Sequence, residues 1–201
     1  MIKMLAINGS PRKTGNTETV LDAFIEGARE SGAEVTKVRL VELDYHNCRG
    51  CNACHKTGVC VLHDDFTQLF DQMMLADILV LASPVYSMSV TAEMKGFIDR
   101  GQFLWAQQFI LKTLSFDADH LKKHLGVYLG TSGQDIPKIF DGVFPTVRAF
   151  FNDGGFSYKE NVLFPGMDKR GGVKGWPESV VEAKRRGGEI VKNMEMKMKS
   201  E

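Results

Sequence analysis

The sequence predicts an α/β protein, with a doubly wound parallel sheet carrying helices on both faces. Three observations support this. Short apolar runs alternate with amphipathic segments along the chain. Two of the runs, Ile78–Ala82 and Leu125–Leu129, are almost continuously apolar, as strands covered on both faces must be. Three polar, turn-rich loops, Asn8–Thr17, Ser83–Ser89 and Gly130–Gln134, each follow the carboxyl end of an expected strand. That is where such sheets bind ligands, so the loops should converge on one crevice.

Taken in order, Ile2–Asn8 reads as a buried strand, and residues 16–31 as a helix with Val20, Leu21, Phe24, Ile25 and Ala28 on one face. Gly32 stops that helix. In Glu34–Leu43, Val38 and Leu40 alternate with Lys37 and Arg39, the pattern of a half-exposed edge strand. A short helix is expected over Asp65–Leu75 and a longer one over Thr91–Trp105. Residues 106–122 follow no clear period and read as an exposed or interface segment. Pro137 suits the start of a helix running to Asn152, with Pro145 a source of a kink. Tyr158–Phe164 is the fifth strand, 165–177 a glycine-rich loop, and 178–197 a closing helix whose Met/Lys tail should fray. The expected organisation is one domain over residues 1–201, with a cysteine-rich insert at about 44–63.

Lysine plus arginine balance aspartate plus glutamate at 25 each. This argues against nucleic acid or an anionic membrane as the main partner. No apolar run approaches the roughly 20 residues needed to span a bilayer. The N-terminus enters a strand without a signal-peptide layout, and a cytoplasmic protein is expected. Its four cysteines then read as metal-binding or redox-active rather than as disulfides.

Asn8-Gly-Ser-Pro-Arg-Lys-Thr-Gly-Asn-Thr17 lies between a strand and a helix. The first N–H groups of a helix have no partner within it, and the dipole there favours anions. Ser10, Thr14, Asn16 and Thr17 add neutral donors and Arg12 a charged fork. The spacing of the nucleotide-triphosphate loop is absent, and only Gly9 and Gly15 are present of a dinucleotide fingerprint. The plainer alternative is an ordinary turn capped by Asn16 or Thr17.

All four cysteines fall in Cys48–Cys60, spaced C-x2-C-x2-C-x5-C. Three thiolates this close can wrap one face of a compact cluster while the fourth closes it, much as in bacterial ferredoxins. Gly50 and Gly58 let the backbone bend around such a core. A structural zinc site, which normally pairs two knuckles across a longer loop, and free or disulfide-forming cysteines are the alternatives. His46, His55 and His63 read as solvated loop residues.

Asn8-Gly-Ser-Pro-Arg with Gly15-Asn-Thr17 resembles the phosphate loop of the flavodoxin-like NAD(P)H-dependent FMN reductases. Ser83-Pro-Val-Tyr86 and Lys95-Gly-Phe-Ile-Asp-Arg100 look like further signatures of that superfamily, and the cysteine run is similar to its iron-sulfur flavoprotein branch. The resemblance covers about residues 2–165. It implies a flavodoxin-like five-stranded sheet in the order 2-1-3-4-5, with the insert after strand 2. It also implies one FMN per subunit, a [4Fe–4S] cluster and a homodimer or tetramer. Carried over by motif, Ser10, Arg12, Asn16 and Thr17, with Thr14 and Gly15 in the same loop, hold the phosphate. Pro84, Val85, Tyr86 and Ser87 line the ribityl chain and ring, and Thr131, Ser132 and Gly133 face the ring's polar edge. Cys48, Cys51, Cys54 and Cys60 are the cluster ligands. Lys95 and Asp99 read as a helix ion pair rather than as catalytic groups.

A flavin carries its own chemistry, so no side chain is assigned as acid or base. The expected function is electron transfer between a one-electron carrier such as ferredoxin and a two-electron acceptor, with NAD(P)H as a transient substrate at most. Two alternatives are a cluster-free NAD(P)H-dependent flavin or quinone reductase and a non-catalytic FMN-binding sensor with oxidisable cysteines. An edge position for strand 2 lets the insert reach a neighbour's flavin more easily than its own. The apolar stretch Gln102–Leu114 is then expected at an interface.

Overall fold

The structure, a computed structural model, describes residues 1–199. The strands are β1 (Lys3–Asn8), β2 (Glu34–Arg39), β3 (Ile78–Pro84), β4 (Leu125–Thr131) and β5 (Ser157–Phe164). They form one parallel sheet in the order β2-β1-β3-β4-β5. The helices are α1 (Asn16–Glu30), α2 (Cys54–Thr57), α3 (Asp65–Met74), α4 (Ala92–Arg100), α5 (Gln102–Trp105), α6 (Ala118–Lys123), α7 (Phe144–Asp153), α8 (Gly172–Gly175) and α9 (Glu178–Lys199). This is the doubly wound, flavodoxin-like architecture expected, with the insert leaving after β2.

Alternation of side chains along the central strands builds two cores. Met4, Ala6, Val80 and Val127 pack against α1 and α9 on one face. Leu5, Ile7, Leu81 and Tyr128 pack against α3, α4 and α7 on the other. The second core is aromatic: Phe97 lies 4.8 Å from Phe70, 5.3 Å from Phe66 and 5.1 Å from Phe150, centroid to centroid. Such pairs add about 0.5–1.5 kcal/mol each beyond their burial. Between α1 and α9 the backbones touch. A Cβ on Gly27 would overlap the Lys184 carbonyl, and one on Gly187 the Phe24 carbonyl.

Four expectations are corrected. β2 ends at Arg39, and Leu40–Glu42 forms a 3₁₀ turn that buries Leu40 completely. The helix expected over Thr91–Trp105 is two helices divided at Gly101, and α5 runs on into a π-turn, Ala106–Ile110. Pro137 starts no helix. The chain turns there, with Lys138 at φ +64°, and α7 begins at Phe144 with Pro145 in its first turn, where a missing N–H costs nothing and no kink arises. The Met/Lys tail stays helical to Lys199.

Candidate functional site

The three polar loops converge at the carboxyl end of the sheet. β1 ends in buried Asn8, whose Oδ1 accepts from the Ser10 N–H at 2.8 Å and whose Nδ2 donates to Glu18. Glu18, on the first turn of α1, also accepts from Lys37 and, at 2.8 Å, from Arg39 Nε. The base of the loop is therefore fixed by a buried acid held between two cations. Gly9 donates to the Ala82 carbonyl at 2.8 Å and accepts from Thr91 Oγ1 at 2.6 Å. A Cβ there would stand 2.7 Å from Met94 Cβ, so only glycine lets α4 approach.

Helix α1 is capped by Gly15, with no side-chain cap bond. The plainer reading of Asn16 or Thr17 as the cap is thereby excluded. Asn16 Oδ1 accepts from the Val173 N–H at 3.1 Å, and Thr17 Oγ1 lies 2.6 Å from Thr131 Oγ1. These bonds tie the first loop to α8 and to β4 and leave the first-turn N–H groups without a side-chain partner. Thr14 is exposed at φ +57°, and its Oγ1 donates to the Lys13 carbonyl.

After β3, the Val85 N–H donates to the Thr131 carbonyl at 2.8 Å. Tyr86 and Ser89 exchange both backbone bonds around Ser87 and Met88, at φ +48° and +64°. Two successive non-glycine residues in the left-handed region store strain, and this turn forms part of the crevice wall. Beyond β4, Ser132 and Gly133 accept at 2.9 and 3.0 Å from the N–H groups of Met167 and Asp168.

Together these loops enclose a cavity of about 450 Å³, within the usual range for small-molecule sites. Ser10, Arg12, Gly15, Asn16, Thr17, Pro84, Val85, Tyr86, Ser87, Thr131, Ser132 and Gly133 all line it; Thr14 does not. The residue assignments left out Met88 and Gln134, which lie within two of the marked loops, and Ile136, Ile139, Met167 and Asp168, which lie outside them. The last two follow β5 and are tied in by backbone bonds to Ser132 and Gly133, with the Met167 side chain buried in the core beside α1 and α9.

The insert is built differently. Its only helix is the single turn α2, with Gly50, Asn52 and Gly58 in left-handed conformations around it. Cys48 and Cys51 are exposed, Cys54 and Cys60 half-buried. Among the described residues, no three His, Cys, Asp or Glu side chains are grouped to hold one metal ion. All four cysteines nevertheless wall one cavity of about 140 Å³. Burial pushes the Cys54 thiol up, and the other three cysteines add to that. Four thiols lining one cavity are a donor set that a polynuclear core could use. Its soft donors suit iron–sulfur chemistry.

Arg100 forms the floor. It is 2% exposed. Nη1 donates to the His46 carbonyl and to Asp64 Oδ2, both at 2.6 Å, and Nη2 to the Leu62 carbonyl at 3.2 Å and Asp64 Oδ1 at 3.1 Å. The two ends of the insert are thus tied to one side chain. Asp64 in turn caps α3 through the Phe66 N–H. Burial opposes the charge on Arg100, but Asp64 and Cys60 outweigh it and hold its pKa above the ordinary value. The Lys95–Asp99 pair lies on the surface at 2.7 Å, as expected. His46 and His63 are exposed, whereas His55 is half-buried beside Trp105 with a buried, unpaired Nε2.

A polar crevice at the carboxyl ends of a 2-1-3-4-5 sheet, opening on a helix N-terminus with no side-chain cap bond, is the arrangement of a flavodoxin-like fold. The chain belongs to the NADPH-dependent FMN reductase family, whose model matches residues 2–135. Within that family it groups with relatives named iron-sulfur flavoproteins. It is 44% identical over 99 residues to one from Archaeoglobus fulgidus, covering 49% of this chain and 45% of that protein. A second from the same organism is 27% identical over 207 residues, covering 96% and 98%. The chain thus spans about half the length of the first relative and nearly all of the second. Among solved structures, it is similar to an FMN-dependent NADH-azoreductase from Bacillus anthracis in complex with FMN. The TM-score is 0.70 at 13% identity, covering 95% of this chain and 100% of that one, a likeness of fold. No helix among the described residues is long and apolar enough to cross a membrane.

Proposed function

We propose that the chain is an FMN-dependent electron-transfer oxidoreductase with a [4Fe–4S] cluster on Cys48, Cys51, Cys54 and Cys60. The observation behind this is the presence in one chain of a flavin-sized crevice and a separate cavity walled by every cysteine. In the crevice, the free first-turn N–H groups of α1, Ser10 and Arg12 would hold a terminal phosphate. Asn16 and Thr17 keep that helix end in place through Val173 and Thr131. Thr14 contributes turn geometry rather than a donor. Pro84, Val85, Tyr86 and Ser87 would line the ribityl chain and ring, and Thr131, Ser132 and Gly133 the ring's polar edge. Ile136, Ile139 and Met167 add apolar wall that limits water. Bound FMN would supply one- and two-electron chemistry, bridging a one-electron carrier of the ferredoxin type and a two-electron acceptor.

NAD(P)H would dock transiently over the ring, if it serves as donor. The segment Gln102–Leu114 spends Phe103 on Phe70 and Trp105 on His55. It leaves Phe109 and Ile110 exposed, as are Val59 and Val61 in the insert. A homodimer or tetramer joined there would cover them. A cluster-free NAD(P)H-dependent flavin or quinone reductase is the second reading, favoured by the exposure of Cys48 and Cys51. Anaerobic purification with iron, sulfide and flavin analysis separates the two. About four irons per FMN are expected. Stoichiometric zinc, or NAD(P)H turnover by iron-free protein, would overturn the first reading.

A further inference from the structure

The family reading accounts for the four cysteines but gives no task to the buried arginine beneath them. Arg100 lines the cysteine cavity and Asp64 does not, so the positive end of this buried ion pair faces the thiols. The guanidinium also has a donor to spare: Nε is buried and has no acceptor. Its remaining bonds go to the His46 and Leu62 carbonyls, which are the entry and exit of the insert, and to Asp64. A fold-stabilising arginine needs neither a place in the wall of that cavity nor an unused N–H.

We propose that Arg100 is a positioning residue for the cluster: it closes the insert around the four cysteines and sets a fixed positive charge against them that raises the cluster's reduction potential. The proposal rests on the cluster reading above. The sign follows from charge. Reduction adds an electron to a core already carrying four thiolates, and a buried cation in the wall favours the more negative state. Hydrogen bonds, charge and burial near the sulfurs are the protein's means of setting such potentials. The guanidinium supplies charge at any working pH because it does not titrate.

Removing Arg100 alone would strand Asp64 as a buried charge and could unfold the chain. The informative variants are therefore Arg100→Lys, which keeps the charge but loses the fork, and the double change Arg100→Gln with Asp64→Asn, which removes both charges together. Each is purified anaerobically as holoprotein. Iron, sulfide and FMN are counted, and the cluster potential is read by a redox titration followed by electron paramagnetic resonance. The double variant should reduce about tenfold less favourably, a shift of about 59 mV to more negative potential for a one-electron couple. Arg100→Lys should stay near the wild-type potential but lose iron faster on dilution. Loss of iron from the double variant with FMN and helical content intact would likewise support the proposal. A full cluster at the wild-type potential and with the wild-type lifetime in the double variant would overturn it. So would equal potential shifts in both variants, because charge would then not be the cause. If wild-type protein takes up no iron and sulfide, the cluster reading itself falls and this proposal with it, a result visible before any variant is made.

Discussion

The crevice and the cysteine insert lie in the same chain but are ordered by different means. Three of the crevice loops leave strands paired on both sides, since β1, β3 and β4 are the inner strands of the sheet, and only the segment with Met167 and Asp168 follows an edge strand, β5. Backbone bonds from Gly9 to Ala82, Val85 to Thr131 and Met167 to Ser132 then lock the loops to one another. The insert leaves edge strand β2, contains one helical turn, and depends on a few contacts made by Arg100, Asp64 and Gln107. A preformed site loses affinity when a residue changes and keeps its shape. A site held by a few charged contacts loses its order.

Four changes test that contrast, in decreasing size of effect. Cys51→Ala should abolish the broad iron–sulfur absorption entirely and leave FMN bound at wild-type stoichiometry. Coupled loss of flavin would mean the two sites are not independent. Asp64→Ala should destabilise the protein by about 3–5 kcal/mol in urea unfolding, because it leaves Arg100 charged, buried and alone. A change below about 1 kcal/mol would show that the insert does not rest on this pair. Asp64 also predicts a pH effect. Burial works to raise its pKa, but Arg100, with the His46 and Phe66 N–H groups, holds it below the ordinary carboxylate value. Its contribution is complete above the unfolded value of about 3.9 and fades as pH falls through the lower folded value, so wild type should weaken in that acid range and the Asp64→Ala protein should not.

In the crevice, Arg12→Ala should weaken FMN roughly 10- to 150-fold, since a charged hydrogen bond is worth about 1.5–3 kcal/mol and each ~1.4 kcal/mol is tenfold. The exposure of Arg12 points to the lower end. Riboflavin, which has no phosphate, should be hardly affected. Equal losses for the two flavins in fluorescence titration would assign Arg12 to loop support instead. Lys95→Ala sets the lower bound: an exposed i,i+4 pair is worth about 0.2–0.5 kcal/mol, and melting should fall by no more than about 2 °C.

The same contrast explains what could be read from the sequence. The strands and the three converging loops were legible because burial on both faces imposes continuous apolar runs and strand ends impose turn residues. Leu40 extended the expected β2 too far: it keeps the strand's alternation but is buried by a 3₁₀ turn instead. Pro137 and Pro145 both suit a helix start, and only packing selects Pro145. Asp168 and Met167 lie beyond β5, outside the three marked loops, and the backbone bonds that bring them to Ser132 and Gly133 are ones that any residue can make. Arg100 was legible only as a motif residue. Its burial depends on Asp64, which lies 36 positions earlier in the chain.

The glycine contact between α1 and α9 has a consequence for how the protein is made. Residues 2–135, the span matched by the family model, include most of the crevice. Yet the helix that opens onto it has its apolar face covered by α9, backbone against backbone at Gly27 and Gly187. During synthesis the Asn8–Thr17 loop emerges long before its brace. A ribosome-bound chain stalled before residue 178 should therefore hold flavin poorly although most of the residues that would touch it are already outside the tunnel. Flavin capture then waits on the emergence of α9 rather than on that of the crevice loops.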